Sequence, residues 1–509
     1  MWKAVIAIFA CAYFLRERSA RSRSRRLRAM HVAFAVLAFG AYFHFGDLPY
    51  KGFFHRWETF HYYLGAKYSS ELGYANLYRC VSVADAETGA RESVMRRTMR
   101  DLETDALVPA ATSLDRPEAC TARFSAARWS EFRHDVVWFR ETAGDGAWWE
   151  AMQNDHGYNA PPAFTLLARP LTELAPLGEA SILALASLDL LLMTAIVLLL
   201  GWAFGARTAA LGVVFWGTQA ASEFYWTGGA FLRQDWLFFS VLSLCLLRKN
   251  RPAWAGAALA AAASLRVFPL LFFAGPLVVV AAAWLRRRAL NPSYSRFLFG
   301  GALALCLLAG TSAIVAGPEN LRDFATRVEL RATSQIANHM GFRTLFSASP
   351  ATRMERTADE RLLDPSAPWA AARTERFDAL FPAYALAVLA FTALWVRAVS
   401  RLKTPWIAVA LGAALVPLLT EPASYYYSFV LLAVPLARAL PSLEVALVGL
   451  AGAGQLIALR FPWADDRFTG LALVYVAFAL ASIAAFSRKF ASAPRLFAPK
   501  RSSLLRRTS

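Results

Sequence analysis

The sequence predicts an all-α membrane protein, a polytopic bundle of transmembrane helices, on three observations. Hydrophobic residues make up 57% of the chain, more than an ordinary soluble domain carries. Apolar runs of a length suited to a bilayer recur along it. The basic residues behind the net charge of +18 sit in short links between those runs, which is the distribution of a topology signal and not of a nucleic-acid-binding face.

In chain order, spans are expected near 2–15, 30–46, 179–203, 208–222, 230–247, 253–268, 269–285, 297–316, 380–396, 405–420, 425–439, 443–460 and 468–486. The reading allows about 11 to 13 crossings, because the first run is short and also reads as a signal-anchor-like or interfacial segment. The basic links are Arg16 to Arg28, Arg207, Arg248-Lys249-Asn250-Arg251, Arg286-Arg287-Arg288, the Arg397, Arg401 and Lys403 group, and the tail from Arg488. Placing all of them in the cytoplasm makes the spans alternate without contradiction. The chain then divides into N-terminal spans (1–46), a first extracytoplasmic loop (47–178), central helices (179–316), a second extracytoplasmic loop (317–379), C-terminal helices (380–487) and a basic tail (488–509).

The two long hydrophilic segments both fall outside in this scheme. Residues 47–178 hold 18 of the chain's 36 acids against 14 basic residues, while 317–379 balance nine against nine. Short helices parallel to the membrane are expected there, packed by Trp129, Trp138, Trp148 and Trp149. Cys11, Cys245 and Cys306 lie in apolar spans and read as small buried hydrophobes. Cys80 and Cys120 share the first loop, where an oxidising compartment would let them pair. Two independent thiols are the alternative.

The chemistry concentrates where the first loop leaves the membrane, in Arg56-Trp57-Glu58-Thr59-Phe60-His61-Tyr62-Tyr63-Leu64-Gly65. Phe60, Tyr63, Leu64 and Tyr68 recur at helical spacing, so Phe60 to Leu72 is expected to lie along the membrane surface as an amphipathic helix with Glu58 at its start. A carboxylate there is held by the helix dipole and free amides and can take a proton from a hydroxyl. A charge that merely stabilises the helix is the second reading of Glu58. Pro161 and Pro162, after Tyr158-Asn159-Ala160, read as a turn that starts a helix. Asp189, inside a span, reads as a helix-to-helix hydrogen bond or a proton-relay group. Tyr425, Tyr426 and Tyr427, beside Glu421, read as interfacial anchors. No phosphate-cradling GxxxxGK[ST] occurs, which argues against ATP-driven transport. The seven histidines show no HExxH or comparable spacing, so no cofactor is expected; a divalent metal stays open without a residue pattern that indicates one.

Taken together, Glu58, the Phe60-His61-Tyr62-Tyr63-Leu64-Gly65-Ala66-Lys67-Tyr68 passage and the later Tyr158-Asn159-Ala160-Pro161-Pro162-Ala163-Phe164 resemble the GT-C superfamily of integral membrane glycosyltransferases, and within it the DUF2029, or glycosyltransferase 87, type. The resemblance implies a GT-C helix bundle that transfers a hexose, mannose-like, from a polyprenyl-phosphate donor to a glycan or glycolipid hydroxyl. It implies a multi-pass protein of the bacterial inner membrane whose site faces the periplasm or exterior. Glu58 matches the family's proposed base, although many relatives carry Asp there. The family's Tyr-Pro-Pro passage is similar to Asn159-Ala160-Pro161-Pro162, with one extra residue after Tyr158.

Such an enzyme needs cations near helix ends to hold a lipid phosphate, and the expected topology supplies Arg233, Arg266, His339 and Arg343. Arg266 interrupts an apolar run, where it needs either an anion or a path to snorkel to the interface. His61, Tyr62, Asp155, Tyr158 and Asp235 are the remaining candidates for the acceptor or sugar. Rival readings are a lipid-linked sugar transporter or flippase and a non-catalytic membrane assembly protein.

Overall fold

The computed structural model describes residues 1–19, 25–50, 52–287 and 289–491. The expected basic link from Arg16 to Arg28 is therefore described only in part, and Arg288 and residues 492–509 of the expected tail lie outside the described residues. Among the described residues, six helices are by length and composition able to cross a membrane: Glu179–Phe204, Phe268–Leu285, Pro292–Ala316, Ala367–Val399, Ser442–Arg460 and Ala464–Lys489. The chain is thus built as a multi-pass helical membrane protein.

The remaining expected spans are shorter or irregular. Ala206–Thr218 has 13 residues, and Asp235–Arg248 and Pro252–Leu265 have 14 each, below the roughly 20 that an α-helix needs to cross the hydrocarbon core. Residues 405–419 break into Pro405–Gly412, a 3-10 turn and Val416–Leu419. Ser424–Arg438 is wound as a 15-residue 3-10 helix, whose steeper rise carries it roughly 30 Å. Hydropathy registers how apolar a run is and not how it is wound, so these differences were invisible to it.

Helix pairs close where side chains are smallest. A Cβ on Gly256 would meet the Phe297 carbonyl oxygen at 1.9 Å, and one on Gly300 the Ala253 oxygen at 2.2 Å, so Pro252–Leu265 and Pro292–Ala316 touch backbone to backbone. At one end of the bundle the arginine-bearing links meet each other. Arg207 bridges Glu17 at 2.7 Å and Glu444 at 2.5 Å, and Asn291 donates to the Lys403 carbonyl.

The segment 47–178 folds into a small domain with the helices Arg56–Lys67, Leu77–Glu87, Ala126–Thr142 and Pro162–Glu173. It also holds an antiparallel hairpin, Thr98–Arg100 with Leu107–Pro109, a departure from the expected all-helical loop. Cys80 and Cys120 form a disulfide. The surface helix expected over 60–72 is corrected: every residue from Thr59 to Lys67 is buried. Lys67 is buried with them, neutralised inside the domain by Asp135 at 2.7 Å and Glu131 at 2.8 Å.

Candidate active site

Glu58 sits in the first turn of Arg56–Lys67, and the chain before it explains why. His55 is the N-cap, its Nδ1 accepting the Glu58 amide at 3.3 Å. Its Nε2 lies 3.0 Å from the Tyr225 carbonyl oxygen, which can only accept, so Nε2 carries the proton and Nδ1 is left as the acceptor. Burial lowers the His55 pKa, which favours this neutral tautomer. The cap therefore fixes the height at which the Glu58 side chain leaves the helix.

Arg233 reaches Glu58 from a turn between two helices, with its Nε 3.0 Å from the carboxylate. Three features set that turn. Gly229 has φ +69° and lies so close to the Phe53 carbonyl that any Cβ would collide with it, a place only glycine fills. Leu232 is held at φ +50°, a left-handed conformation costing about 1–2 kcal/mol. Asp189, buried in Glu179–Phe204, accepts the Arg233 amide at 2.9 Å and the Gln234 amide at 3.1 Å. Of the two roles read for Asp189, the structure displays a hydrogen-bonding one, to a turn's backbone.

The guanidinium of Arg233 lies 4.2 Å from the Tyr62 ring centroid, and that of Arg266 lies 5.6 Å from the same ring. Arg266 caps the end of Pro252–Leu265 and is buried, its Nε donating to Tyr426 Oη at 3.1 Å and its Nη1 to the Leu265 carbonyl. It turns into the protein, which corrects the snorkelling alternative. Among the described residues, Arg233 Nη1 and Arg266 Nη2 have no hydrogen-bond partner. Buried guanidinium groups left in this way favour an anion at their free edge.

These side chains line one cavity of about 1550 Å³. Glu58, Tyr62, Arg233 and Arg266 share it with His339 and Arg343, which come from the second hydrophilic segment. Arg343 lies 3.8 Å from Glu421, and His339 pairs backbone to backbone with Ala423. Val267 and Leu419, both well exposed, bring apolar surface to the rim beside the cations.

Several candidates turn out otherwise. His61 borders the cavity, but its Nδ1 faces the Trp57 carbonyl at 2.8 Å and its Nε2 the Tyr78 hydroxyl at 2.6 Å, so both ring nitrogens serve the domain's interior. Asp155 borders the cavity too, and its carboxylate accepts from the Trp57 indole and the His156 amide. His61 and His156, together with those two hydrogen bonds, draw its pKa below the usual carboxylate range despite burial. Tyr158 does not line the cavity: its hydroxyl bonds Thr165 and its ring fills the gap over Gly65. Asp235 does not line it either, and its carboxylate accepts its helix's second amide, that of Trp236, at 2.6 Å.

Tyr425 and Tyr426, read from sequence as interfacial anchors, are corrected to cavity-lining residues, while Tyr427 is buried against Met340. Sequence reading missed His55, Trp57 and Trp148 as cavity residues. A histidine three residues before a glutamate at a helix start was the available signal for the first. Among the described residues no three His, Cys, Asp or Glu side chains gather as a metal ion would require.

No family model, curated protein or solved structure matches this chain, so the chemistry of the site rests on its own geometry.

Proposed function

We propose that the protein is a GT-C type membrane glycosyltransferase. It moves a hexose, mannose-like, from a polyprenyl-phosphate donor to a hydroxyl of a glycan or glycolipid at the extracytoplasmic face of a bacterial inner membrane. The observation that carries this reading is the pairing of Glu58 with Arg233 in a cavity where Arg266 keeps a guanidinium edge free. A proton acceptor and an anion seat within one enclosure are what transfer from a lipid phosphate requires. The exposed apolar rim at Val267 and Leu419 suits a lipid tail beside that seat.

In this reaction the Glu58 carboxylate takes the acceptor hydroxyl's proton as its oxygen forms a bond to the anomeric carbon. The bond from that carbon to the phosphate oxygen breaks on the opposite face, inverting the centre. The leaving phosphate takes the electron pair and gains one negative charge, which Arg233 and Arg266 offset. Arg343 and His339 hold the far side of the donor's head group.

The test is Glu58→Gln in lipid nanodiscs with a labelled polyprenyl-phosphate hexose, following release of polyprenyl phosphate. Loss of the proton acceptor should slow transfer by about 10²-fold or more. Gln also leaves the buried Arg233 without its charge partner, which lowers thermal stability, so turnover is compared below the unfolding transition of the variant. Turnover equal to wild type would remove the role of Glu58, and translocation of the donor without release would favour a flippase.

A further inference from the structure

The cavity has a second wall of different chemistry, built on Trp57 and Trp148. We propose that this wall is a binding seat for a pyranose ring of the acceptor, making the acceptor a carbohydrate whose reacting hydroxyl is presented to Glu58. What the sugar does there rests on the glycosyltransferase reading; that a sugar binds does not.

Trp148 is 38% exposed although its neighbour Trp149 is only 2% exposed, and it is among the residues that line the cavity. An indole face left open on a cavity wall is available to a ligand that can stack on it. Of Trp57 and Trp148, one is held through its indole nitrogen and the other through its backbone. The Trp57 indole N–H is tied to Asp155 Oδ2 at 2.5 Å, and the Trp148 amide to Asp145 Oδ1 at 2.6 Å. Their ring centroids lie 5.3 Å apart with planes at 77°, so the two rings form a corner.

Such a corner matches one apolar face and one edge of a hexopyranose, whose polarised C–H bonds are drawn to an indole's electron-rich face. Glu141, Asp145 and Asn154 also line this side of the cavity and supply oxygens that can accept from ring hydroxyls. Two of the three are carboxylates, which oppose a second anion and leave the phosphate to the arginine side. Trp57 and Glu58 are consecutive, with Cα atoms about 3.8 Å apart. Both side chains line the one cavity, so a ring on the indole corner shares that space with the carboxylate that would deprotonate it.

The experiment is saturation-transfer NMR on the full-length protein in nanodiscs, with methyl α-mannopyranoside, methyl α-glucopyranoside and cyclohexanol as probes. Transfer to ring C–H protons of a pyranoside is expected in wild type and in Glu58→Gln. It should fall roughly tenfold in Trp148→Ala and persist in Trp148→Phe, which keeps an aromatic face should the alanine variant fold poorly. Signals no larger than with empty nanodiscs, equal in Trp148→Ala, or as strong for cyclohexanol would overturn the seat. Trp148-dependent sugar binding in a protein that never releases polyprenyl phosphate keeps the seat and removes the transferase. Glu58-dependent transfer indifferent to Trp148 does the reverse.

Discussion

Removing the Asp189 carboxylate should release the turn that aims Arg233 at Glu58. Asp189 receives the Arg233 and Gln234 amides inside the bundle, and a buried amide left without its acceptor costs about 1–3 kcal/mol. Two such amides put the loss in Asp189→Ala at about 2–6 kcal/mol before relaxation, a large fraction of a typical total stability of about 5–15 kcal/mol. Relaxation is locally favoured, because Leu232 sits at φ +50° and regains about 1–2 kcal/mol by leaving the left-handed region. The turn should therefore open, carrying Arg233 away from Glu58. Hydrogen exchange followed by mass spectrometry reads this directly. At the lower bound of about 2 kcal/mol, the amides of 233 and 234 should exchange roughly thirtyfold faster. Asp189→Asn keeps an oxygen at the Oδ1 position, which receives both amides, and should lose much less free energy than Asp189→Ala. Ser187→Ala on the same helix removes an exposed hydroxyl bonded only to the Leu183 carbonyl and should stay within about 0.5 kcal/mol of wild type. Unchanged exchange at 233 and 234 in Asp189→Ala would refute the account of how Arg233 is placed.

Gly65→Ala should cost about 1–3 kcal/mol, because its Cβ would lie 2.3 Å from the Tyr158 ring; thermal unfolding in detergent should fall accordingly, and Tyr158→Leu in the same background should recover part of the loss. An unshifted melting temperature would mean that Tyr158 does not pack over Gly65. For His55, burial holds the folded pKa below the unfolded value of about 6.5, so the unfolded chain binds the proton first and stability falls as pH drops below about 6.5. His55→Asn, a cap that does not titrate, should flatten that part of the pH–stability curve. An unchanged slope would assign it to other groups.

Much of the architecture was legible because its causes are local. Apolar runs announce helices that can cross a bilayer, and prolines at 161 and 162 announce a helix start, which the structure has at Pro162. Glu58 was readable as a first-turn residue for the same reason. The windings of 405–419 and 424–438 were not readable, since a 3-10 and an α-helix can share one composition. Nor was the burial of Thr59–Lys67, because Lys67 finds Asp135 only after the chain has folded back on itself.

What the sequence determined alone is a helical membrane protein carrying a carboxylate at a helix start and arginines at the ends of distant apolar runs. Only tertiary structure decided which of those polar groups are spent and which remain free. His61 and Tyr158 found partners within their own domain, whereas Arg233 and Arg266 were left with open guanidinium edges in a common cavity. The reason is that a hydrogen bond or ion pair is a property of two groups within about 3 Å, and the partner's place in sequence carries almost no information about that distance.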